Sequence, residues 1–230
     1  MELPSHIDWQ TYQNSQALAQ DLSLLVESIV EETLKHQITA SVALSGGSTP
    51  KAFLSELAHA DIAWPQVYFT PVDERFVDVS SDQSNQKLFY KHLLNLHKNA
   101  HFISMVQDEN IHQAVERYNQ DFSQYIHKLD LCILGMGNDG HTASLFPDAA
   151  ELAKAISDEA PSCLVLNPRS APQARISLSL PVLKQAKVRI LHIEGEEKKQ
   201  TLLKALACEN PNDMPVRYIL NEPLYIVWCP

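Results

Sequence analysis

Residues 38–60, "ITASVALSGGSTPKAFLSELAHA", decide the fold. Residues 38–44 form a short apolar run, β-branched at its start, which predicts a strand. The run stops at a polar turn with two adjacent glycines, Gly46 and Gly47. "KAFLSELAHA" then predicts a helix, with Thr49 as its N-cap and Pro50 in the first helical position, where a missing N–H costs nothing. A strand that runs through a glycine turn into a helix is the repeating unit of an α/β protein.

Working outward, the pattern recurs. Leu18, Leu22, Leu25, Ile29 and Val30 at helical spacing predict an amphipathic helix over residues 14–36. "VYFTPVDERFV" predicts a strand running into a loop, "SNQKLFYKHLLNL" a helix, and "HFISM" a short strand. "IHQAVERYNQDFSQYI" predicts a long helix with Ala114, Val115, Tyr118, Phe122 and Tyr125 along one stripe. "LDLCILGMG" is too continuously apolar to be a strand with one wet face. "CLVL", "RISLSL", "VRILHIEG" and "LYIVWC" predict further strands, and "EEKKQTLLKALACE" a helix. The expected class is α/β, a three-layer sandwich around a mostly parallel sheet. No repeat, low-complexity tract or Gly/Ser linker divides residues 1–230, so one domain is expected.

Composition bounds the function. The 230 residues are 45% hydrophobic, ample for a packed interior. No window approaches 18 consecutive apolar residues, and "MELPSHIDWQTYQNSQ" lacks a basic start followed by an apolar core. The expectation is a cytoplasmic protein with no membrane partner. The four cysteines stand apart, without C-x-x-C spacing, so neither a zinc knuckle nor a redox motif is expected. A net charge of −10 argues against a nucleic-acid surface. An anionic ligand would have to be drawn in by a few local cations and backbone N–H groups.

Three predicted strand ends carry unusual polar sequence, and in open α/β sheets ligands bind beyond the carboxyl ends of strands. In the first, "SGGSTP", Gly46 and Gly47 let successive N–H groups turn toward an anion, and Ser45, Ser48 and Thr49 add hydroxyls. Phosphate or sugar binding stands here against an ordinary strand-to-helix turn. No G-x-x-x-x-G-K-[ST] or G-x-G-x-x-G nucleotide motif is completed. In the second, "PVDERF", Asp73, Glu74 and Arg75 are adjacent and cannot all face one way. Arg75 can hold a phosphate if a carboxylate neighbour steadies it, or form a surface ion pair. The third, "GMGNDGHTASLFP" (residues 135–147), sets Asp139 and His141 two residues apart on a glycine-rich loop. There a carboxylate can orient an imidazole that moves protons near neutral pH. The other nine histidines lack such company, and most fall on predicted helical surfaces. With no G-x-S-x-G elbow and no H-E-x-x-H cluster, what remains is a histidine that activates water directly on an electrophile.

Together "ALSGGSTP", "VDERFV", "GMGNDGHTASLFP" and "ARISLSLPVL" resemble, in order, the signature blocks of the 6-phosphogluconolactonases. These belong to the glucosamine/galactosamine-6-phosphate isomerase superfamily. The resemblance implies a Rossmann-like fold and hydrolysis of 6-phosphogluconolactone in the oxidative pentose-phosphate pathway. It implies His141 as general base and Asp139 as its orienting carboxylate. Ser45, Gly46, Gly47, Ser48 and Thr49 would lie beside the sugar and oxyanion, with Asp73 supporting the site or touching the sugar. Arg75 and Arg175 would hold the phosphate. No metal or organic cofactor is implied. The expected partner is a small phosphorylated sugar lactone, and the expected state a monomer or weak homo-oligomer. The related deaminases carry Asn-Glu-Pro beyond the histidine; here Phe146 stands where that proton-carrying Glu is expected. A non-catalytic sugar-phosphate sensor of similar fold is the alternative from another class. Family members often have a Lys in Pro-Lys-Pro before the fourth block. This chain has "NPRSAPQAR", in which Arg169 replaces that cation at shifted spacing, or is a solvated loop charge.

Overall fold

The computed structural model describes residues 3–230; Met1 and Glu2, the first two positions of the expected domain, lie outside the described residues. The strands are β1 (Ile7–Thr11), β2 (Ala40–Leu44), β3 (Val67–Pro71), β4 (Asp73–Arg75), β5 (His101–Phe102), β6 (Leu131–Leu134), β7 (Cys163–Leu166), β8 (Arg175–Leu178), β9 (Val188–Glu194) and β10 (Leu224–Cys229). The helices are α1 (Ser15–Leu34), α2 (Lys51–Leu57), α3 (Asn85–His92), α4 (Ile111–Tyr125), α5 (Leu152–Ala155), α6 (Leu180–Gln185), α7 (Glu196–Ala207) and α8 (Val216–Ile219).

Seven strands form one sheet in the order β1-β10-β9-β6-β2-β3-β5, and every pairing in it is parallel. Every residue of β2 and of β6 is buried, because helices cover both faces. The α1, α2 and α3 side packs Leu18, Leu22, Phe53, Leu54 and Phe89 into one core. The α4, α6, α7 and α8 side packs Tyr118, Phe122, Leu183, Leu202 and Ile219 into the other. The chain moves outward one way from β2 to β3 and the other way from β6 to β9 and β10. The topological switch therefore lies between β2 and β6. Buried Asp130 fixes that seam from the amino-terminal edge, accepting from the Ser41 N–H at 2.8 Å and hydroxyl at 2.9 Å and pairing with Lys187 at 2.7 Å.

The structure departs from expectation at Thr49, at β1 and at "DER". Thr49 is not an N-cap: α2 begins at Lys51 after Pro50, without a side-chain cap. The helix expected over 14–36 is α1, where the Asn14 side chain accepts from the Ala17 N–H at 2.9 Å. β1 was not foreseen, and it joins the far edge beside β10. "DER" is a strand rather than a loop. With β8 and β7 it makes a separate antiparallel sheet in the order β4-β8-β7. Apolar runs of four predict strands but not which sheet receives them. Among the described residues no helix is long and apolar enough to cross a membrane.

Candidate active site

The three polar segments meet at the carboxyl ends of β2, β3 and β6, on the switch point. They line a cleft of about 270 Å³ together with Asn85, His192 and Lys198. That volume is at the small end for ligand sites, suiting a compact metabolite rather than a dinucleotide.

The glycine loop is held at its root, where the Ser45 N–H donates to the Ile133 carbonyl at 2.9 Å and extends the β2–β6 pairing. From Gly46 to Thr49, no backbone N–H has a protein acceptor among the described residues. Four successive free donors at a sheet's carboxyl edge form a nest for an anion or a polarised oxygen. Gly46 is obligatory by contact: a Cβ there would strike the Asn85 side-chain amide.

Asn85 is placed by Glu74. This buried carboxylate turns away from the cleft and accepts from the N–H groups of Arg75 at 2.8 Å, Asn85 at 2.8 Å and Gln86 at 2.7 Å, so it caps α3. Burial pushes its pKa up against the pull of those bonds. The Asn85 amide donates to the Asp73 carbonyl at 2.8 Å and accepts from Arg75 Nη1 at 2.9 Å. Arg75 also donates to the Gln83 carbonyl at 3.0 Å. The expected carboxylate partner for Arg75 is thus replaced by an amide and a carbonyl, which leave its charge uncompensated.

Arg75 and Arg175 are register partners across β4 and β8. Arg175 is buried, donates to the Gln173 carbonyl at 2.7 Å, and lies 5.8 Å above the Phe146 ring. Desolvation, and then the charge of Arg75, hold its pKa below the ordinary value. Like charges directly opposite are destabilising, so an anion between these arginines relieves the pair. Both line a side pocket with Lys51, Gly47 and Ser48, and Gly47, Ser48, Arg75 and Asn85 also line the main cleft. Arg169 is exposed and lines neither space. The loop around it is strapped down instead, by the Ser170 N–H to Asp148 at 2.7 Å and Asn167 Nδ2 to Glu151 at 2.9 Å.

His141 Nδ1 lies 2.5 Å from Asp139 Oδ1. Desolvation opposes the Asp139 charge, but the bonds and charge of His141 outweigh it and hold the carboxyl below its usual range. An ionised carboxylate only accepts, so Nδ1 carries the proton and Nε2 is left with a free lone pair. The imidazole stacks on Phe146 with ring centroids 3.9 Å apart and planes 25° apart. Gly137 makes room, since a Cβ there would collide with the His141 ring and the Asp139 carboxylate. Beyond His141, Ala143 adopts a left-handed backbone with φ 47°, and the Ser144 hydroxyl donates to Asp73 at 2.5 Å. Asp73 thus ties the second segment to the third.

Three lining residues escaped sequence reasoning. Asn85 sits at a helix start that carries no chemical signal, and Lys198 is one of two adjacent lysines on α7. Lys198 is half-buried, and desolvation holds its pKa down although Glu197 and Asp139 pull it up. His192 does have a carboxylate neighbour, with Nε2 3.0 Å from Glu194 Oε1, contrary to the expectation that only His141 is so accompanied. Among the described residues no group of three or more His, Cys, Asp or Glu is placed to hold a metal ion.

The family model described as glucosamine-6-phosphate isomerases/6-phosphogluconolactonase matches residues 13–228. The chain is similar to the 6-phosphogluconolactonase of Pseudomonas aeruginosa, 35% identical over 233 aligned positions, covering 100% of this chain and 98% of that protein. It also resembles the crystal structure of a 6-phosphogluconolactonase from Shewanella baltica, with a TM-score of 0.94 and 32% identity over 100% of both chains. A monomeric glucosamine-6-phosphate deaminase shares the fold, with a TM-score of 0.81 at 15% identity over 96% of this chain and 97% of that one.

Proposed function

The chain belongs to the glucosamine-6-phosphate isomerase/6-phosphogluconolactonase family, and on that premise we propose that it hydrolyses 6-phosphogluconolactone with His141 as the proton-transferring group. The observation that carries this reading is the Asp139–His141 pair, stacked on Phe146 at the mouth of a nest of free amides. Nε2 of His141 takes a proton from water as its oxygen bonds to the lactone carbonyl carbon. The charge that develops on the carbonyl oxygen is met by the free N–H groups of Gly46 to Thr49 and by the Lys198 ammonium. As the bond from that carbon to the ring oxygen breaks, the imidazolium returns the proton to the departing oxygen, leaving a free hydroxyl and a carboxylic acid that then ionises by losing the water's second proton to solvent. Asp139 keeps the imidazole in the required tautomer and stabilises its cation.

The phosphate belongs in the side pocket, where Arg75 and Arg175 face each other beside Gly47 and Ser48. Asp73, bonded to Ser144, braces the His141 loop against β4. Arg169 has no part in phosphate binding in this reading. Phe146 separates this chemistry from ring opening and deamination: it packs the imidazole and offers no proton.

The test follows loss of freshly generated 6-phosphogluconolactone against its spontaneous hydrolysis. The wild-type chain is expected to accelerate it, and to release no ammonia from glucosamine 6-phosphate. Turnover by folded His141→Ala at the wild-type rate would sink the assigned base. Unchanged KM in both Arg75→Ala and Arg175→Ala would remove the phosphate from the side pocket.

A further inference from the structure

His192 and Glu194 share one face of β9, two residues apart, on the side covered by α1 and α2. The His192 ring is only 3% exposed, packs edge-on against Phe53 at 6.1 Å, and lines the same cleft as His141. Glu194 Oε1 meets His192 Nε2 at 3.0 Å and accepts from the Ser15 hydroxyl at 3.1 Å. Desolvation opposes the Glu194 charge, yet those donors outweigh it and keep the carboxyl below its ordinary range. An ionised acceptor fixes the tautomer, so Nε2 carries the proton and Nδ1 holds a lone pair.

That lone pair has no hydrogen-bond partner among the described residues, and Nδ1 is not one of the sealed polar atoms left without one. The atom therefore opens onto the cleft. A histidine serving the core alone would bond both nitrogens or give way to a leucine that packs on Phe53 at less cost. The acceptor lies on the wall formed by β9, separate from the arginine pair and from the His141 loop. A sugar lactone held at its phosphate and carbonyl still presents secondary hydroxyl donors.

We infer that His192 is a specificity-determining residue, its Nδ1 accepting a hydrogen bond from one secondary hydroxyl of the bound lactone. The inference rests on the lactonase reading. Glu194 and Ser15 are positioning residues that aim the ring.

The experiment compares KM and kcat for 6-phosphogluconolactone and its 2-, 3- and 4-deoxy analogues in wild type, His192→Leu, His192→Asn and His192→Gln. His192→Leu is expected to raise KM about tenfold on the parent lactone, the worth of one hydrogen bond to a substrate, with kcat nearly unchanged. For one deoxy analogue that penalty should vanish, because the donor is already gone. Asn places an oxygen near the Nδ1 position, whereas Gln reaches Glu194 but has no acceptor there. His192→Asn should therefore restore most of the affinity and His192→Gln little. The inference is overturned if the penalty is the same on all four lactones, or if Gln rescues and Asn does not, which would mark a purely structural link to Glu194. Wild type inert toward every lactone would overturn the lactonase reading instead. If His192→Leu fails to fold, the Asn and Gln pair decides alone.

Discussion

Two imidazole–carboxylate pairs face one cleft, and they are built in opposite ways. Asp139 and His141 sit on a glycine loop beyond β6, with Nδ1 bonded and Nε2 free. His192 and Glu194 sit inside β9, with Nε2 bonded and Nδ1 free. The loop pair is partly open, its His141 side chain 27% exposed, so the free nitrogen is within reach of solvent. In the strand pair the His192 side chain is only 3% exposed, and its free nitrogen can meet only what enters the cleft. The difference teaches that a histidine beside a carboxylate is not one device. Backbone context decides whether the free lone pair meets open solvent or only what enters the cleft.

The largest expected effect separates the pairs directly. His141→Ala should lower kcat by about 10³-fold, within the range for general-base removal, and leave KM nearly unchanged. A loss below tenfold in a steady-state assay would erase the distinction from His192. Next, Asp139→Asn should lower kcat by about 10²-fold, because the amide donates to Nδ1 and puts the proton on Nε2. The corresponding Glu194→Gln should cost about threefold in KM alone. A smaller effect tests the stack. Phe146→Leu keeps volume but loses the parallel ring face, and kcat should fall about fivefold to tenfold as His141 gains freedom.

The smallest effect is on stability and is common to both pairs. Each carboxyl lies below its ordinary range in the folded chain. Each therefore contributes stability that is fully present above its unfolded pKa of about 4 and lost as pH falls through the folded value. The gap in urea midpoint between wild type and Asp139→Asn, or Glu194→Gln, should be widest near neutral pH. It should close on acidification. A gap that grows at low pH would show that these carboxyls are protonated in the native state.

Much of this was legible in residue order. "SGGSTP" must turn because two glycines follow an apolar strand, and "GMGNDGH" places Asp139 and His141 together because they are neighbours in the chain. β2 and β6 read as interior strands because both faces are apolar. Arg175 and Arg75 were legible as cations but not as a facing pair, since the antiparallel β4–β8 register joins residues 100 positions apart (175 − 75). Arg169 read either as a replacement cation at shifted spacing or as a solvated loop charge, and residue order could not show that bonds to Asp148 and Glu151 hold its loop outside the cleft. His192 was invisible because its carboxylate is a routine i+2 neighbour in a strand. Its relation to the cleft depends on Phe53, from another element.

The amino-acid order by itself determined the α/β class, the family and the pairing of Asp139 with His141, because each follows from short-range pattern: periodicity, turn chemistry and adjacency. Tertiary structure alone decided which cations face each other, which further histidine lines the cleft and which loop stays outside. Those outcomes depend on strand register and on which face of a strand a helix covers. Both are set by the packing of distant segments, through burial and hydrogen bonding that no local window contains.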